Sequence, residues 1–213
     1  QTQGSFFNAR TSVNEAKAVE AAKNRIFLGG TTYDLQEKLY NEYGYNNANV
    51  GFWSGADIIN STMKAPPTVS EVANKKAKFY QQLNLFAYTA DEIGGKTALY
   101  DRIIEYAQVL HQGGVKQLIT MPPVPELFDD GLGTGRSAVD IWVMLPKQFM
   151  ASTQNIAAAR QKECEIWTYN CLVQDMYSPK FLLDYELINY RIHPGFINYY
   201  NDVDGFLYWS VAG

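Results

Sequence analysis

Cysteine is scarce in this chain of 213 residues: only Cys164 and Cys171 occur, seven positions apart on either side of the apolar pair Ile166-Trp167. If the segment between them is an extended strand, the sulfurs are held too far apart to bridge, so both read as free thiols. Positive charge is also short. Eighteen Lys and Arg face 22 Asp and Glu, giving a net charge of -4 and a pI near 5.2. With no basic stripe of interleaved aromatics, nucleic acid is not an expected partner. No apolar run reaches the roughly eighteen residues that a membrane span needs. No His/Asp/Glu cluster has metal-ligand spacing and no Ser-His-Asp arrangement is indicated, so neither a metal nor a cofactor is expected. The glycines of Gly131-Leu132-Gly133-Thr134-Gly135 lack the dinucleotide spacing, and no Lys-Ser/Thr follows them. Residues 122–137 therefore read as a flexible loop.

Aromatic residues, by contrast, are abundant. They make up 14% of the chain, with 15 Tyr and 4 Trp, which suits either sugar-stacking surfaces or an aromatic-rich core. The length suits one large domain. Helical patterns are read over Val13–Phe27, Thr32–Tyr43, Val69–Leu83, Thr97–His111, 147–161 and 184–200. Apolar runs at Val50–Trp53, 85–91, Val115–Met121, Val139–Leu145, Glu165–Asn170 and Gly205–Val211 read as strands. Their alternation with helices implies an α/β fold with a parallel sheet. An eight-stranded barrel takes about 250 residues, so about six of its eight strands are expected here, with two exposed sheet edges.

The stretch from Leu85 to Gly95, LFAYTADEIGG, ends an apolar, aromatic run in two adjacent carboxylates. As a buried strand it would deliver Asp91 and Glu92 to its carboxyl end, where parallel α/β folds carry their chemistry. Neighbouring carboxylates repel, which tends to leave one ionised and the other able to hold a proton, as acid/base work on a glycosidic bond requires. The plainer alternative is that Asp91 caps the following helix and Glu92 adds charge to its first turn. His111, at a helix end, reads as a dipole-favouring residue.

Three segments of the tail, Glu165-Ile166-Trp167-Thr168-Tyr169-Asn170-Cys171, Asn189-Tyr190-Arg191-Ile192-His193-Pro194 and Asp204-Gly205-Phe206-Leu207-Tyr208-Trp209, carry W-x-Y, R-x-x-P and D-G-x-L-Y-W patterns. With Asp91-Glu92 and Val139-Asp140-Ile141-Trp142 before them, residues 70–211 resemble the catalytic domain of glycoside hydrolase family 123. The resemblance implies a (β/α)₈ TIM-type barrel, present here in part, and retaining cleavage of β-linked N-acetylgalactosamine assisted by the substrate's own acetamido group. It implies that Asp91 orients the acetamido nitrogen, that Glu92 is the acid/base, and that Tyr169 meets the acetamido carbonyl. Trp142, Trp167, Tyr208 and Trp209 are the expected sugar-binding aromatics, with barrel core as the alternative for each. Arg191 is expected to pair with a buried carboxylate, and His193 to be structural. Ile93-Gly94 stands where the family often has Pro, and the family's leading β-sandwich and first strands are not read in this chain. The chain is therefore expected to be a portion of a larger protein, with a glycan as partner and a secreted or periplasmic location. Two alternatives stay open: a catalytically silent sugar-binding relative, or a glycosidase whose second acid is Asp140 or Glu126.

Overall fold

In the computed structural model, residues 3–7, 15–170, 176–177, 188 and 191–207 are described. The strands are β1 (Gln3–Phe7), β2 (Ile26–Leu28), β3 (Asn47–Asn49), β4 (Asn84–Asp91), β5 (Lys116–Thr120), β6 (Ile141–Met144), β7 (Glu165–Tyr169) and β8 (Gly205–Leu207). The helices are α1 (Glu15–Lys23), α2 (Tyr33–Tyr43), α3 (Val69–Lys76), α4 (Tyr100–Gln112), α5 (Pro146–Ala151) and α6 (Thr153–Gln161). A π-helical stretch, Ile192–Ile197, runs on into the helical turn Asn198–Tyr200.

Local chemistry sets the helix ends. Thr32 caps α2 by accepting from the Leu35 N–H, and Gly44, at φ 75°, closes it in the left-handed conformation. Thr68 and Glu71 form a reciprocal capping box on α3. Along α4, Tyr100, Ile103, Tyr106, Ala107 and Leu110 form one buried face.

All the strands pair in parallel, in the order β2-β1-β8-β7-β6-β5-β4-β3. The buried side chains divide between the two faces. Phe86, Leu118, Ile141, Val143, Trp167, Tyr169 and Leu207 form a cluster built from strands alone, while Ala90, Ile119, Trp142 and Ile166 pack with the helices. Right-handed crossovers put the described helices on one side of such a sheet, leaving the other free of them. The sheet also curls. In a flat sheet β4 and β7 would stand about 14 Å apart, yet Phe86 and Trp167 meet edge to face at 5.7 Å across the helix-free side. At the amino end of that side, Glu165 pairs with Lys116 at 2.6 Å and accepts from the Trp167 indole at 3.0 Å. The result is a TIM-like curled sheet whose edges are β2 and β3, with no pairing between those edges among the described residues.

Five of the six expected strands correspond to β4–β8; the sixth, read at Val50–Trp53, falls on irregular chain just after β3. Three strands, β1, β2 and β3, were not expected. β1 falls in a stretch without pattern. β2 begins where a helix was read through Phe27: Arg25, at φ 60°, stops α1 and starts a β-branched, aromatic run. The helix read over 147–161 is two helices meeting at Ser152, and α3 stops short of Leu83.

The segment expected to be a flexible loop forms the crossover from β5 to β6, with a single turn of 3₁₀-helix, Pro125–Leu127, in place of an α-helix. Buried charge ties it down. Its Asp130 side chain accepts from His111 Nδ1 at 2.7 Å, while His111 Nε2 lies 2.9 Å from Asp140. Asp140 also binds Arg136 and the Gln117 N–H. His111, in the last turn of α4, is thus also a buried clasp between two carboxylates.

Candidate functional site

Strand β4 carries one extra residue against β5. Tyr88 pairs with Leu118 and Ala90 with Ile119, so the ladder slips by one at Thr89. Such a bulge re-aims side chains. Tyr88 and Asp91, three apart, would face opposite sides of a regular strand. Here both face the helix-free side, and the Tyr88 hydroxyl donates to Asp91 Oδ1 at 2.7 Å. The bulged carbonyl of Thr89 is satisfied by the N–H and hydroxyl of buried Ser54, at 3.0 and 2.6 Å.

Thr120 ends β5 beside Asp91. Its hydroxyl donates to the same Oδ1 at 2.5 Å and accepts from the Glu92 N–H at 2.8 Å. Glu92, just past the strand, adopts φ 48°, a left-handed conformation that is uncommon for a residue with a side chain. That conformation sends its carboxylate across the sheet. There the Tyr169 hydroxyl, at the end of β7, donates to Oε1 at 2.5 Å. Asp91 and Glu92 are both exposed, and their second oxygens, Oδ2 and Oε2, have no hydrogen-bond partner among the described residues. The capping alternative fails on position: the helical chain resumes only at Thr97, and the Asp91 carboxylate points away from it to Tyr88 and Thr120.

Burial pushes the Tyr88 and Tyr169 phenols well above their usual pKa, and their carboxylate neighbours push the same way. Both hydroxyls therefore stay protonated and act as donors. The mouth thus offers two carboxylates with separate donors, one free oxygen on each, and an aromatic surround. Among the described residues no basic side chain hydrogen-bonds to either acid and no group of His, Cys, Asp and Glu could hold a metal ion. A neutral polyhydroxylated ligand suits such a mouth, whereas an anionic one would meet repulsion.

Of the residues singled out from sequence, Asp91, Glu92 and Tyr169 converge on this mouth. Trp167 faces the same side but lies deeper, fully buried against Phe86 and over Gly205. Trp142 faces the helices instead, fully buried beside Phe128. Tyr208 and Trp209 lie outside the described residues. Asp140 belongs to the His111 clasp at the opposite ends of the strands, and Glu126 is exposed on the crossover turn. Arg191 is exposed and forms no ion pair with a described carboxylate, while His193 is buried edge-on to Phe206.

Sequence reading missed Tyr88 and Thr120. Thr120 could have been found as the polar residue closing an apolar strand, next to the one that carries the acids. Tyr88 could not, because strand parity puts it on the wrong face unless the bulge is known. No protein-family model matches the chain, and no curated protein matches it in sequence.

Proposed function

We propose that the chain is a glycoside hydrolase that cleaves β-linked N-acetylgalactosamine, or a related N-acetylhexosamine, with retention of configuration. The observation that carries this reading is the bond from Tyr169 to Glu92, beside an Asp91 held by two other hydroxyls. Adjacent carboxylates with different partners can take different roles.

In this reading the free Oδ2 of Asp91 accepts the substrate's acetamido N–H. The acetamido oxygen attacks the anomeric carbon as the glycosidic bond breaks, and ionised Asp91 stabilises the positive oxazolinium ring. Glu92 gives its proton to the departing oxygen, then takes one from the water that reopens the ring. Because the nucleophile is part of the substrate, its effective concentration can be about 10⁵ M or more. Tyr169 has one proton to donate. When the acetamido oxygen takes that hydrogen bond, Glu92 is released toward the leaving oxygen.

The test is proton NMR of the product anomers from an activated β-N-acetylgalactosaminide, run beside the matching 2-hydroxy sugar. Retention with cleavage of the acetamido sugar alone is expected, and Glu92→Gln should cut the rate by about 10²–10⁴-fold. Inversion, or equal cleavage of both sugars, would refute the mechanism. Sugar binding without cleavage is the result expected of a silent sugar-binding relative, a reading favoured by Ile93-Gly94 in place of Pro.

A further inference from the structure

Trp53 stands at the same mouth, and no step of the proposed reaction uses it. The segment carrying it is anchored to β4 twice, by the Val50 N–H on the Phe86 carbonyl at 2.8 Å and by the Ser54 N–H on the Thr89 carbonyl at 3.0 Å. Between those anchors Gly51 and Phe52 both have positive φ, 98° and 68°. Glycine takes that conformation freely; a phenylalanine held there costs about 1–3 kcal/mol, and such strain concentrates at ligand sites. Its consequence here is the placement of one side chain. Trp53 is brought against Tyr88, ring centroids 5.6 Å apart and planes at 75°, and Tyr88 is the residue that donates to Asp91. Trp53 remains 48% exposed, although Trp142 and Trp167 are wholly buried. A large apolar surface is therefore left in water one side chain away from the carboxylates.

We infer that Trp53 is the stacking platform for the pyranose ring engaged by Asp91 and Glu92. The inference rests on the glycosidase reading and adds to it a residue that sets specificity. A pyranose presents hydroxyls at its rim and a patch of C–H bonds on a face, so a site that captures it needs hydrogen-bonding groups at one side and an aromatic plane at the other. The carboxylates and Tyr169 supply the first, and Trp53 supplies the second. With an axial O4, the galacto ring gathers its C3, C4 and C5 hydrogens into one continuous apolar patch. The gluco ring, whose O4 is equatorial, has no such patch. The platform therefore favours N-acetylgalactosamine over N-acetylglucosamine.

The test is to titrate both sugars into the native chain and into Trp53→Ala and Trp53→Phe variants, with dissociation constants from ligand-observed NMR. Loss of the stacked face should weaken N-acetylgalactosamine binding by about 10- to 100-fold in Trp53→Ala. N-acetylglucosamine should weaken less, so that the preference between the isomers narrows, and Trp53→Phe should recover most of the loss. If Trp53→Ala binds both sugars as the native chain does, the platform is refuted and the glycosidase reading stands. If both sugars weaken equally and Phe restores nothing, Trp53 only supports Tyr88 and the inference is again overturned. A native chain that binds neither sugar would overturn both readings.

Discussion

Replacing His111 by Leu should destabilise the fold by about 3–5 kcal/mol, and the cost should fall on Asp130 rather than on the histidine itself. Both imidazole nitrogens meet carboxylates, and the His111 and Asp130 side chains are 3% and 1% exposed. Asp140 would survive the change, because Arg136 and the Gln117 N–H still bind it. Asp130 would keep the Leu132 N–H, at 2.9 Å, as its remaining side-chain partner. A buried carboxylate stripped of the group that pairs with it costs about 3–5 kcal/mol, a large share of the roughly 5–15 kcal/mol that holds a domain folded. Urea melts followed by circular dichroism should show a lower midpoint at unchanged slope. The decisive comparison is the double variant. Adding Asp130→Asn to His111→Leu keeps the shape and the acceptor for Leu132 but removes the charge, so stability should rise by about 1.5 kcal/mol or more. The reasoning fails if His111→Leu costs less than about 1 kcal/mol, or if Asp130→Asn destabilises it further.

Other outcomes follow from the same geometry. Desolvation holds buried His193 down to a pKa of about 4 in the folded chain, against 6.5 when unfolded. Below pH 6.5 the unfolded state therefore binds the extra proton first. Stability should be lost as pH falls from about 6.5 to about 4, by up to about 3 kcal/mol at this site, and His193→Phe should flatten that part of a pH-dependent melting series. A Cβ at Gly205 would lie 2.5 Å from the Trp167 ring, so Gly205→Ala should destabilise by about 1–3 kcal/mol, read by calorimetry. Gly113→Ala should act similarly between α3 and α4, where its Cβ would meet Val72 at 2.3 Å. On the glycosidase reading, Thr120→Val strips one donor from Asp91 and the acceptor from the Glu92 N–H. It should lower kcat by about 10-fold or more with little change in KM, and an unchanged kcat would remove Thr120 from the site.

What could be read from the sequence, and what could not, divides along physical lines. The β4, β5, β6 and β7 strands were visible because buried parallel strands are nearly continuous apolar runs. β2 and β3 were hidden for opposite reasons: Ile26-Phe27-Leu28 joins directly onto a helical pattern, and Asn47-Ala48-Asn49 is a strand with polar flanks that work. Asn49 turns its side chain to the N–H groups of Gly51 and Tyr88, which binds the edge strand to the site segment. The β5–β6 crossover is the loop its glycines indicate, but it is also held by distant partners. Its Asp130 is anchored by a histidine on α4, a pairing that no local pattern announces. Gly205, within the D-G-x-L-Y-W pattern, gives Trp167 room, while Asp204 beside it accepts the Ile166 N–H and registers β8 on β7.

The site itself depends on two departures from regular strand geometry, the slip at Thr89 and the left-handed turn at Glu92. Without the first, Tyr88 would face away from Asp91; without the second, Glu92 would not turn across the sheet to Tyr169. The same departures explain how adjacent residues come to have separate environments. Consecutive positions on a strand point to opposite faces, so a regular β4 would place one carboxylate at the mouth and bury the other among helices. Ending the strand at Asp91 and reversing φ at the next residue keeps both on the open side, each with its own hydroxyl partner. The strain therefore sits at the carboxyl end of β4, beside a second strained residue, Phe52, that presents Trp53 to the same space. Two neighbouring chain segments are distorted at the same end of the sheet, and on the glycosidase reading the described side chains they present, two acids and an exposed indole, are those that would hold a pyranose ring.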